Sequence, residues 1–577
     1  MATAYNICPA RALTCPPYAR LSLCGEMSDR IAVQKPMNTQ LTRRLFLGAA
    51  GASLTSGFAE PAKRPNIVLI MADDMGFSDL GCYGSEIRTP NLDRLAAEGI
   101  RFSQFHNTAR CCPTRAALMT GLYSHQVGMG HMINDTGLPG YRGQISHSCV
   151  TIAEALKPAG YHTLMTGKWH LTFPGKGHED NWPMQRGFEH YYGTIAGSGS
   201  YFDPVTLQRD NQPAPAKPGF YYTDAIGDQA SQYIGDYAGK DNPFFLYVAF
   251  TSPHWPLHAL AEDVDRYKDR YATGWDKLRD ERYARMVEQG VIDPKWNLTP
   301  RDESVPAWDQ APNKEWEARR MAVYAAQVDR MDQNVGKILS KLKEKGAEDN
   351  TLVLFLSDNG GCAEILGPKA GPLDSPVTLD GRTVRKGNDP SVMPGSDDTY
   401  ESYATPWANA SNTPFRLYKH WVHEGGTSTP LIARWPSAMK GKGSWNRQPG
   451  HLIDIMATCL DVSGATYPKS VKGQAVPPFE GISLAPTFYG RKRPEHKAIY
   501  WEHEGNRAIL QGKWKLVSRY SEGWELYDLE ADRTELHNLI SQQPGRAKNM
   551  EAMWDAWAKR CNVAPWADVQ KRIKGQA

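Results

Sequence analysis

The chain has 577 residues, of which 41% are hydrophobic and 22% charged, and its formal net charge is +3. A chain of this length and composition buries a full core without disulfide bonds, and its near-neutral charge excludes a strongly basic nucleic-acid-binding protein. Ten cysteines are present but no CxxC pair, so neither a zinc ribbon nor a dithiol redox centre is indicated. We expect one dominant domain and a smaller one.

The first 59 residues indicate a targeting sequence. Arg43 and Arg44 precede a short apolar run of small residues that ends at Ala59, which is typical of a twin-arginine (Tat) signal peptide and too short for a stable membrane span. We predict a leader and Tat signal in residues 1–59, with Met37 as an alternative start, and delivery to the periplasm or the medium by the Tat translocase. A disordered basic tail is the alternative. Residues 1–59 carry six basic and two acidic side chains, so without them the net charge falls from +3 to −1.

Continuous apolar runs and helical patterns then alternate along the chain. The runs occupy residues 66–76, 161–171, 243–258 and 351–361, and each contains polar residues towards its end. Helical patterns occupy residues 89–102, 151–161, 222–237 and 321–346. Runs that are apolar at every position are typical of strands covered on both faces, as in parallel sheets. Residues 60–480 therefore predict a doubly wound α/β domain, a large mixed but mostly parallel sheet sandwiched by helices, with ligands at the carboxyl ends of its strands.

After about residue 480 the pattern changes. Short alternating segments at 496–505, 507–520 and 524–539 have hairpin-like spacing, and residues 546–560 are helical in pattern. Residues 481–577 therefore predict a small antiparallel sheet with a closing helix. A stretch rich in glycine, proline and aspartate at 368–406 predicts a surface excursion near the mouth of the site.

Acidic and amide side chains follow two of the predicted strands. They are Asp73, Asp74, Asp358 and Asn359. Three carboxylates and one amide oxygen form a set of hard ligands that suits Ca²⁺ or Mg²⁺, and carboxylates clustered without a cation are costly. The alternative is that each pair only caps the helix that follows it.

Basic and imidazole side chains supply what an oxyanion substrate would need, namely positive charge and proton donors. The candidates are Arg115, Lys168, His170, His254, His258, Lys419 and His423. A single histidine is more often a surface or core residue with structural partners, and a charged loop is usually only solvated. His258 and His423 are the weaker candidates of this set.

Residues 111–121, CCPTRAALMTG, resemble the type I sulfatase signature C-x-P-x-R-x4-T-G. The resemblance extends over about 65–539 through ADDMG, GKWHL, SPHWPLH and SDNGG, and looks closest to the arylsulfatase branch. In that family a formylglycine-generating or sulfatase-maturating enzyme oxidises the first cysteine of the signature to formylglycine, which the resemblance implies for Cys111. Cys112 then occupies a variable position. Without the resemblance, the sequence would indicate that Cys111 is a buried thiol or half of a disulfide.

The resemblance also implies the metal ligands. One divalent cation, Ca²⁺ in preference to Mg²⁺, would be bound by Asp73, Asp74, Asp358, Asn359 and the modified Cys111. Asp358 would also take the proton of the attacking hydroxyl.

The remaining roles are likewise implied by the resemblance. Arg115 and Lys168 would hold the formylglycine hydrate and its sulfate ester. His170 would deprotonate the second hydroxyl to release sulfate, and His254 with Lys419 would protonate the leaving oxygen.

These roles together imply a hydrolase of sulfate monoesters, either aryl or carbohydrate. A formylglycine hydrate divides the hydrolysis into two easier steps. One hydroxyl attacks sulfur, and the other later loses its proton, so that the aldehyde reforms and sulfate leaves.

Two alternatives stay open. One is a phosphonate or phosphate ester hydrolase of the same superfamily, whose two-metal members typically have an Asp-His pair where this chain has Asp358-Asn359. The other is a catalytically silent binding protein, if Cys111 is never converted.

Overall fold

The computed structural model describes residues 63–471 and 473–575, so the predicted leader and Tat signal lie outside the described residues. The strands are β1 Asn66–Ala72, β2 Ile100–His106, β3 His162–Gly167, β4 His190–Thr194, β5 Leu207–Arg209, β6 Gln212–Pro213, β7 Phe244–Ala249, β8 Thr351–Ser357, β9 Arg385–Lys386, β10 Thr399–Tyr400, β11 Ser428–Arg434, β12 Ser444–Asn446, β13 Gly450–His451, β14 Ser470–Val471, β15 Gln474–Ala475, β16 Ile499–His503, β17 Asn506–Gln511, β18 Trp514–Ser518 and β19 Glu525–Asp528. The α-helices are α1 Pro90–Glu98, α2 Cys111–Thr120, α3 Ile152–Leu156, α4 Tyr222–Tyr237, α5 Ala261–Val264, α6 Gly274–Glu288, α7 Lys314–Glu344, α8 Ala404–Ser411, α9 Glu424–Thr427, α10 Asp454–Ser463, α11 Ala485–Phe488, α12 Pro544–Arg560 and α13 Trp566–Lys574.

Eleven of the strands in these ranges form the main sheet. Its order is β12, β2, β11, β8, β1, β7, β3, β4, β5, β6, and β13 also pairs with β2. The central strands β8, β1, β7, β3 and β4 are parallel neighbours, whereas β11 is antiparallel to both β2 and β8. The predicted mixed, mostly parallel sheet is confirmed.

Helices cover both faces of the main sheet. Along β1, the side chains of Ile67 and Leu69 pack in the apolar cluster that contains α2, α3 and α10, whereas those of Val68 and Ile70 pack in the cluster that contains α1, α4 and α7. Alternate side chains of a strand point to opposite faces. The interior positions of β1, β7 and β8 are therefore apolar on both faces, because neither face of the sheet is solvated there.

The predicted helices and strands are confirmed, with differences at their ends. The pattern at 222–237 coincides with α4, and α7 begins at Lys314, earlier than its pattern. The pattern at 89–102 is too long: α1 ends at Glu98 and Ile100 starts β2. Ile100 and Phe102 are buried on the main sheet. Packing on the sheet therefore outweighs the helical spacing of the local sequence, and these residues form a strand.

A second sheet lies near the C-terminus. Strands β16 to β19 are antiparallel and paired in chain order, and Trp554 of α12 packs in the apolar cluster with Ile509 and Leu516 on one face. The opposite face packs against Ala109 and Val422. The predicted antiparallel sheet and helix are confirmed, and the sheet supports the chain just before Cys111. The boundary at residue 480 stays a prediction.

The stretch 368–406 contains β9, β10 and the start of α8. Among the described residues, every helix is too short or too polar to cross a bilayer.

Candidate active site

The site lies at the carboxyl ends of four neighbouring parallel strands, β8, β1, β7 and β3. Ala72 pairs with Ser357 in the last register position of β1 and β8, so the residues that follow, Asp73 and Asp358, lie side by side. Lys168 directly follows β3, and its backbone N–H donates to Ala249 O at the end of β7 at 2.8 Å. The edge of the sheet therefore gathers side chains that are far apart in sequence, as expected for an open α/β sheet.

Asp73 and Asp358 are each paired with buried cations. Lys168 Nζ donates to Asp73 Oδ2 at 2.5 Å. Arg115 Nη2 donates to Asp358 Oδ2 at 3.0 Å and lies 3.4 Å from Asp73 Oδ2. The four side chains have no exposed surface, so these ion pairs act in a weakly screened environment.

Asp74 joins a second group of site residues. Its Oδ1 accepts from Asn359 Nδ2 at 2.6 Å and its Oδ2 accepts from Lys419 Nζ at 2.9 Å, while His254 Nε2 lies 3.4 Å from Oδ2. Burial opposes ionisation, but His254 and Lys419 outweigh it and lower the pKa of Asp74 to about 2. Asp74 has φ 62°, a left-handed conformation that is strained for a residue with a Cβ and is concentrated at functional sites.

His254 is oriented by its neighbour. Its Nδ1 lies 2.6 Å from the Trp255 carbonyl oxygen, which can only accept, so Nδ1 carries the proton and Nε2 faces the site. Lys419 Nζ lies 3.4 Å from that Nε2. Burial lowers the pKa of His254 to about 3, so the imidazole is neutral beside the Lys419 ammonium.

His170 is buried and also has a left-handed backbone, with φ 57°. Its Nδ1 has no hydrogen-bond partner among the described residues. Burial, followed by the charges of Lys168 and Arg115, lowers its pKa well below the usual range. A Cβ on Gly197 would lie 2.0 Å from His170 Cε1, so only glycine at 197 leaves room for this ring.

Cys111 is the first residue of α2 and is buried. Its Sγ and one carboxylate oxygen each from Asp73 and Asp358 lie within 4.8 Å of one another. The neighbouring Cys112 instead packs in the apolar cluster behind the main sheet. All seven cysteines within the described residues are unpaired, so Cys111 is not half of a disulfide there. Burial raises the pKa of its thiol.

The donor set fits a hard cation. Asp73 Oδ1 and Asn359 Oδ1 are buried oxygens without a hydrogen-bond partner among the described residues, which is costly unless a ligand satisfies them. Burial, followed by the charge of Asp358, raises the pKa of Asp73 well above its usual range. Asp74 and Asp358 lie in the same cluster as Asp73. Carboxylate and amide oxygens are the ligand types that suit Ca²⁺ or Mg²⁺.

Comparison with known proteins decides the family. The profile described as sulfatase matches residues 65–465, and one described as N-sulphoglucosamine sulphohydrolase, C-terminal, matches residues 415–559. The chain belongs to the sulfatase family. It is a sulfuric ester hydrolase, and the resemblance to type I sulfatases is confirmed.

Two relatives and one solved structure show how far the similarity extends. The chain is 33% identical over 541 residues to an uncharacterised sulfatase of Schizosaccharomyces pombe, covering 88% of this chain and 96% of that protein. It is 33% identical over 473 residues to an arylsulfatase of Klebsiella aerogenes, covering 78% and 98%. The structure of Ps i-CgsB in complex with k-i-k-neocarrahexaose matches with a TM-score of 0.61 and 25% identity, covering 86% of this chain and 93% of that one.

All ten predicted site residues of this sulfatase lie in one buried cluster, and their individual roles stay predictions. The two weaker histidine candidates have structural partners instead. His258 Nε2 lies 2.6 Å from Thr399 O, and burial lowers the pKa of His258 to about 4. His423 Nε2 lies 3.1 Å from Glu525 Oε2.

Sequence reasoning missed three residues of this sulfatase that lie beside the cluster. Glu364 Oε1 accepts from Arg110 Nη1 at 2.7 Å, and its Oε2 accepts from Trp255 Nε1 at 2.8 Å. Arg110 directly precedes Cys111 and Trp255 directly follows His254 in the sequence, so their positions next to predicted site residues could have indicated them. Glu364 carries no such signal, because its contacts span more than a hundred residues.

Proposed function

We propose that this sulfatase hydrolyses sulfate monoesters with a formylglycine made from Cys111 and a single bound Ca²⁺. The observation that carries the proposal is the pair of buried, partnerless acceptors, Asp73 Oδ1 and Asn359 Oδ1, in the cluster that contains Cys111. A buried oxygen without a hydrogen-bond partner needs a ligand to satisfy it, and we propose that this ligand is a cation.

The environment of Cys111 supports its conversion rather than direct use of the thiol. A cysteine attacks as the thiolate, and burial of Cys111 raises its pKa. The formylglycine hydrate supplies two geminal hydroxyls, one to attack sulfur and one to expel sulfate.

Asp73, Asp74, Asp358 and Asn359 would hold the cation, which would withdraw charge from the sulfuryl oxygens. Ca²⁺ is preferred to Mg²⁺ because it accepts many protein oxygens in irregular geometry, whereas Mg²⁺ keeps several waters. An amide oxygen at 359 favours such a hard cation over zinc, which prefers imidazole.

The first step needs a base and buried positive charge. Asp358 would accept the proton of the attacking hydroxyl. Arg115 and Lys168 would bind the sulfuryl oxygens, and as fixed, buried charges they would stabilise developing negative charge at little reorganisation cost.

The leaving oxygen needs a proton, and the second hydroxyl needs a base. Neutral His254 carries its proton on Nδ1, so the proton for the leaving oxygen would come from the Lys419 ammonium and pass through His254 Nε2, which lies 3.4 Å from Lys419 Nζ. His170 is neutral with a free Nδ1, so it would take the proton of the second hydroxyl as sulfate departs.

The substrate class follows from the relatives. One is named an arylsulfatase, and one structural neighbour holds a carrahexaose. We extend both classes to this chain, so that its substrates are aryl or carbohydrate sulfates.

Two measurements test the proposal. The protein is produced with a formylglycine-generating or sulfatase-maturating enzyme, and mass spectrometry of the peptide containing Cys111 should show formylglycine. The converted protein should hydrolyse sulfate monoesters in a panel that also contains a phosphonate monoester. An unconverted cysteine in active protein, or preference for the phosphonate, would contradict the proposal.

We also propose export through the Tat translocase to the periplasm or medium, based on Arg43 and Arg44. A fusion of residues 37–59 to a reporter should be exported, and the Arg43→Lys/Arg44→Lys fusion should stay in the cytoplasm. Equal export of both fusions would contradict this route.

A further inference from the structure

Glu364 connects two segments that adjoin reacting groups. It lies on the loop after β8, the loop that also carries Asn359. Its Oε1 accepts from Arg110 Nη1 at 2.7 Å, and its Oε2 accepts from Trp255 Nε1 at 2.8 Å. The protein itself therefore occupies both carboxylate oxygens, which suits a residue that holds other side chains in place.

Trp255 orients the imidazole of His254. Its carbonyl oxygen lies 2.6 Å from His254 Nδ1 and accepts the proton there, so Nε2 carries none and faces the site. The ring centroids of the two side chains are 4.5 Å apart. Tyr201 Oη donates to the His254 carbonyl oxygen at 2.8 Å, which holds the backbone. The direction of the His254 ring therefore depends on Trp255.

That direction matters for the leaving group. His254 Nε2 lies 3.4 Å from Lys419 Nζ, and in the proposed function a proton passes from Lys419 through Nε2 to the leaving oxygen. A proton donor or acceptor must lie within hydrogen-bond reach of its partner, and small displacements of reacting groups are costly. A rotated His254 ring would therefore interrupt this transfer.

We infer that Glu364 is a positioning residue, which acts through the indole of Trp255 to hold the His254 ring in the orientation that delivers a proton to the leaving oxygen. The indole N–H donates to a carboxylate that is paired with Arg110, and hydrogen bonds to ionised groups are stronger than neutral ones. The inference rests on the proposed function, because it concerns the proton that this mechanism gives to the leaving oxygen.

This role predicts a dependence on the leaving group. A weakly basic leaving oxygen departs with little help from a proton, whereas a strongly basic one needs the proton in the transition state. Loss of the His254 orientation should therefore slow mainly the esters with basic leaving oxygens. A defect that distorted the whole site would slow all esters alike.

The test uses full-length, formylglycine-confirmed protein with Ca²⁺ and three esters in order of increasing leaving-group basicity: 4-nitrophenyl sulfate, phenyl sulfate and galactose 6-sulfate. Glu364→Ala removes both acceptors, and Trp255→Phe removes the indole N–H but keeps an aromatic ring. Each should lower kcat for phenyl sulfate and galactose 6-sulfate by about tenfold or more. Each should change kcat for 4-nitrophenyl sulfate by less than about threefold.

A double-variant cycle tests the route through Trp255. With phenyl sulfate, Glu364→Ala/Trp255→Phe should be no slower than the slower single variant, because both substitutions remove the same interaction. Multiplying effects would show that Glu364 acts by another route and would overturn the inference. If Glu364→Ala does not fold, as judged by thermal melting, Glu364→Gln replaces it, because a single amide oxygen cannot accept at both positions.

Glu480 and Trp524 provide matched controls. Glu480 accepts from an arginine, Arg560, and from a second side chain, Gln126 Nε2, at 2.9 Å. Trp524 Nε1 donates to Glu551 Oε1 at 2.8 Å. Glu480→Ala and Trp524→Phe should each leave kcat for both aryl sulfates within about threefold of wild type.

The outcomes separate the two proposals. If converted wild type hydrolyses none of the three esters, the proposed function fails, and the inference with it. If wild type hydrolyses both aryl sulfates and the variants slow both equally or neither, only the inference is overturned. If wild type hydrolyses a single ester, the double-variant cycle on that ester decides between support and rejection.

Discussion

Two of the buried charged clusters, one around Glu424 and one at the active site, satisfy their carboxylates differently. In the cluster around Glu424 every carboxylate oxygen of that residue is bonded: Oε1 accepts from Lys515 Nζ at 2.8 Å, and Oε2 accepts from Ser428 Oγ at 2.7 Å and Arg533 Nε at 3.2 Å. In the active-site cluster Asp73 Oδ1 has no partner among the described residues. The protein itself satisfies both carboxylate oxygens of Glu424, whereas it leaves one oxygen of Asp73 without a hydrogen bond.

The pKa shifts follow this difference. Burial opposes ionisation of Glu424, but Lys515 and His106 outweigh it and hold the pKa well below the usual range. Burial and the charge of Asp358 raise the pKa of Asp73 despite its cationic neighbours. Burial of charge alone therefore does not mark a functional site; at Asp73 it is combined with an unfilled acceptor beside the other candidate site residues.

The largest expected effect is on the nucleophile. Cys111→Ala should lower kcat/KM for sulfate esters by at least about 10³-fold, while changing Tm by no more than about 3 °C, because only one buried sulfur is removed. Cys112→Ala makes the same chemical change in the apolar core and should keep activity within about threefold. Near-normal turnover by the Cys111→Ala protein would contradict the assignment.

Substitution of Glu424 should lower the stability of the protein and leave its activity almost unchanged. Glu424→Gln removes the buried carboxylate shared by Lys515 and Arg533, leaving Glu535 as the carboxylate partner of Lys515, and should cost about 3–5 kcal/mol of unfolding free energy, measured by urea titration. The kcat of the folded variant should stay within about threefold of wild type. A cost below about 1 kcal/mol for the single variant would show that this cluster is not a structural one.

Removing the cation should affect only the active-site cluster. Chelation should lower turnover by about 100-fold, and Ca²⁺ at 100 times its Kd should stabilise the protein by about 2.7 kcal/mol, seen as a rise in Tm. Asp73→Asn should lose most of that rise, whereas Glu424→Gln should keep it. Equal Ca²⁺ responses in the two variants would argue against a cation at Asp73.

The smallest effect is a pH dependence of opposite sign in the two clusters. The folded pKa of Glu424 is lowered, so its contribution to stability is present above the unfolded pKa of about 4.3 and is lost as the pH falls through the folded pKa. Glu424→Gln should therefore flatten the acid side of the stability profile. The folded pKa of Asp73 is raised, so in Ca²⁺-free protein Asp73→Asn should gain stability over wild type as the pH rises from about 4 to 7. Parallel profiles for both variants would contradict the comparison.

Much of this arrangement was predictable from sequence, because it follows from local patterns. Fully apolar runs such as β1 and β8 indicated strands covered on both faces, and a polar residue directly after each run indicated the functional edge of the sheet. The signature that begins at Cys111 identified the family. The helix predicted through Ile100 was too long, because packing on the sheet outweighed the local spacing.

What the sequence by itself determined is therefore the order of strands and helices, the family and the chemical types at the site. Tertiary structure alone decided which oxygens stay without partners, that Cys111 lies beside Asp73 while Cys112 packs in the core, and that Glu364 accepts a hydrogen bond from Arg110. The physical reason is that strand and helix periodicity is local in the chain, whereas hydrogen-bond partners and burial depend on contacts between residues hundreds of positions apart.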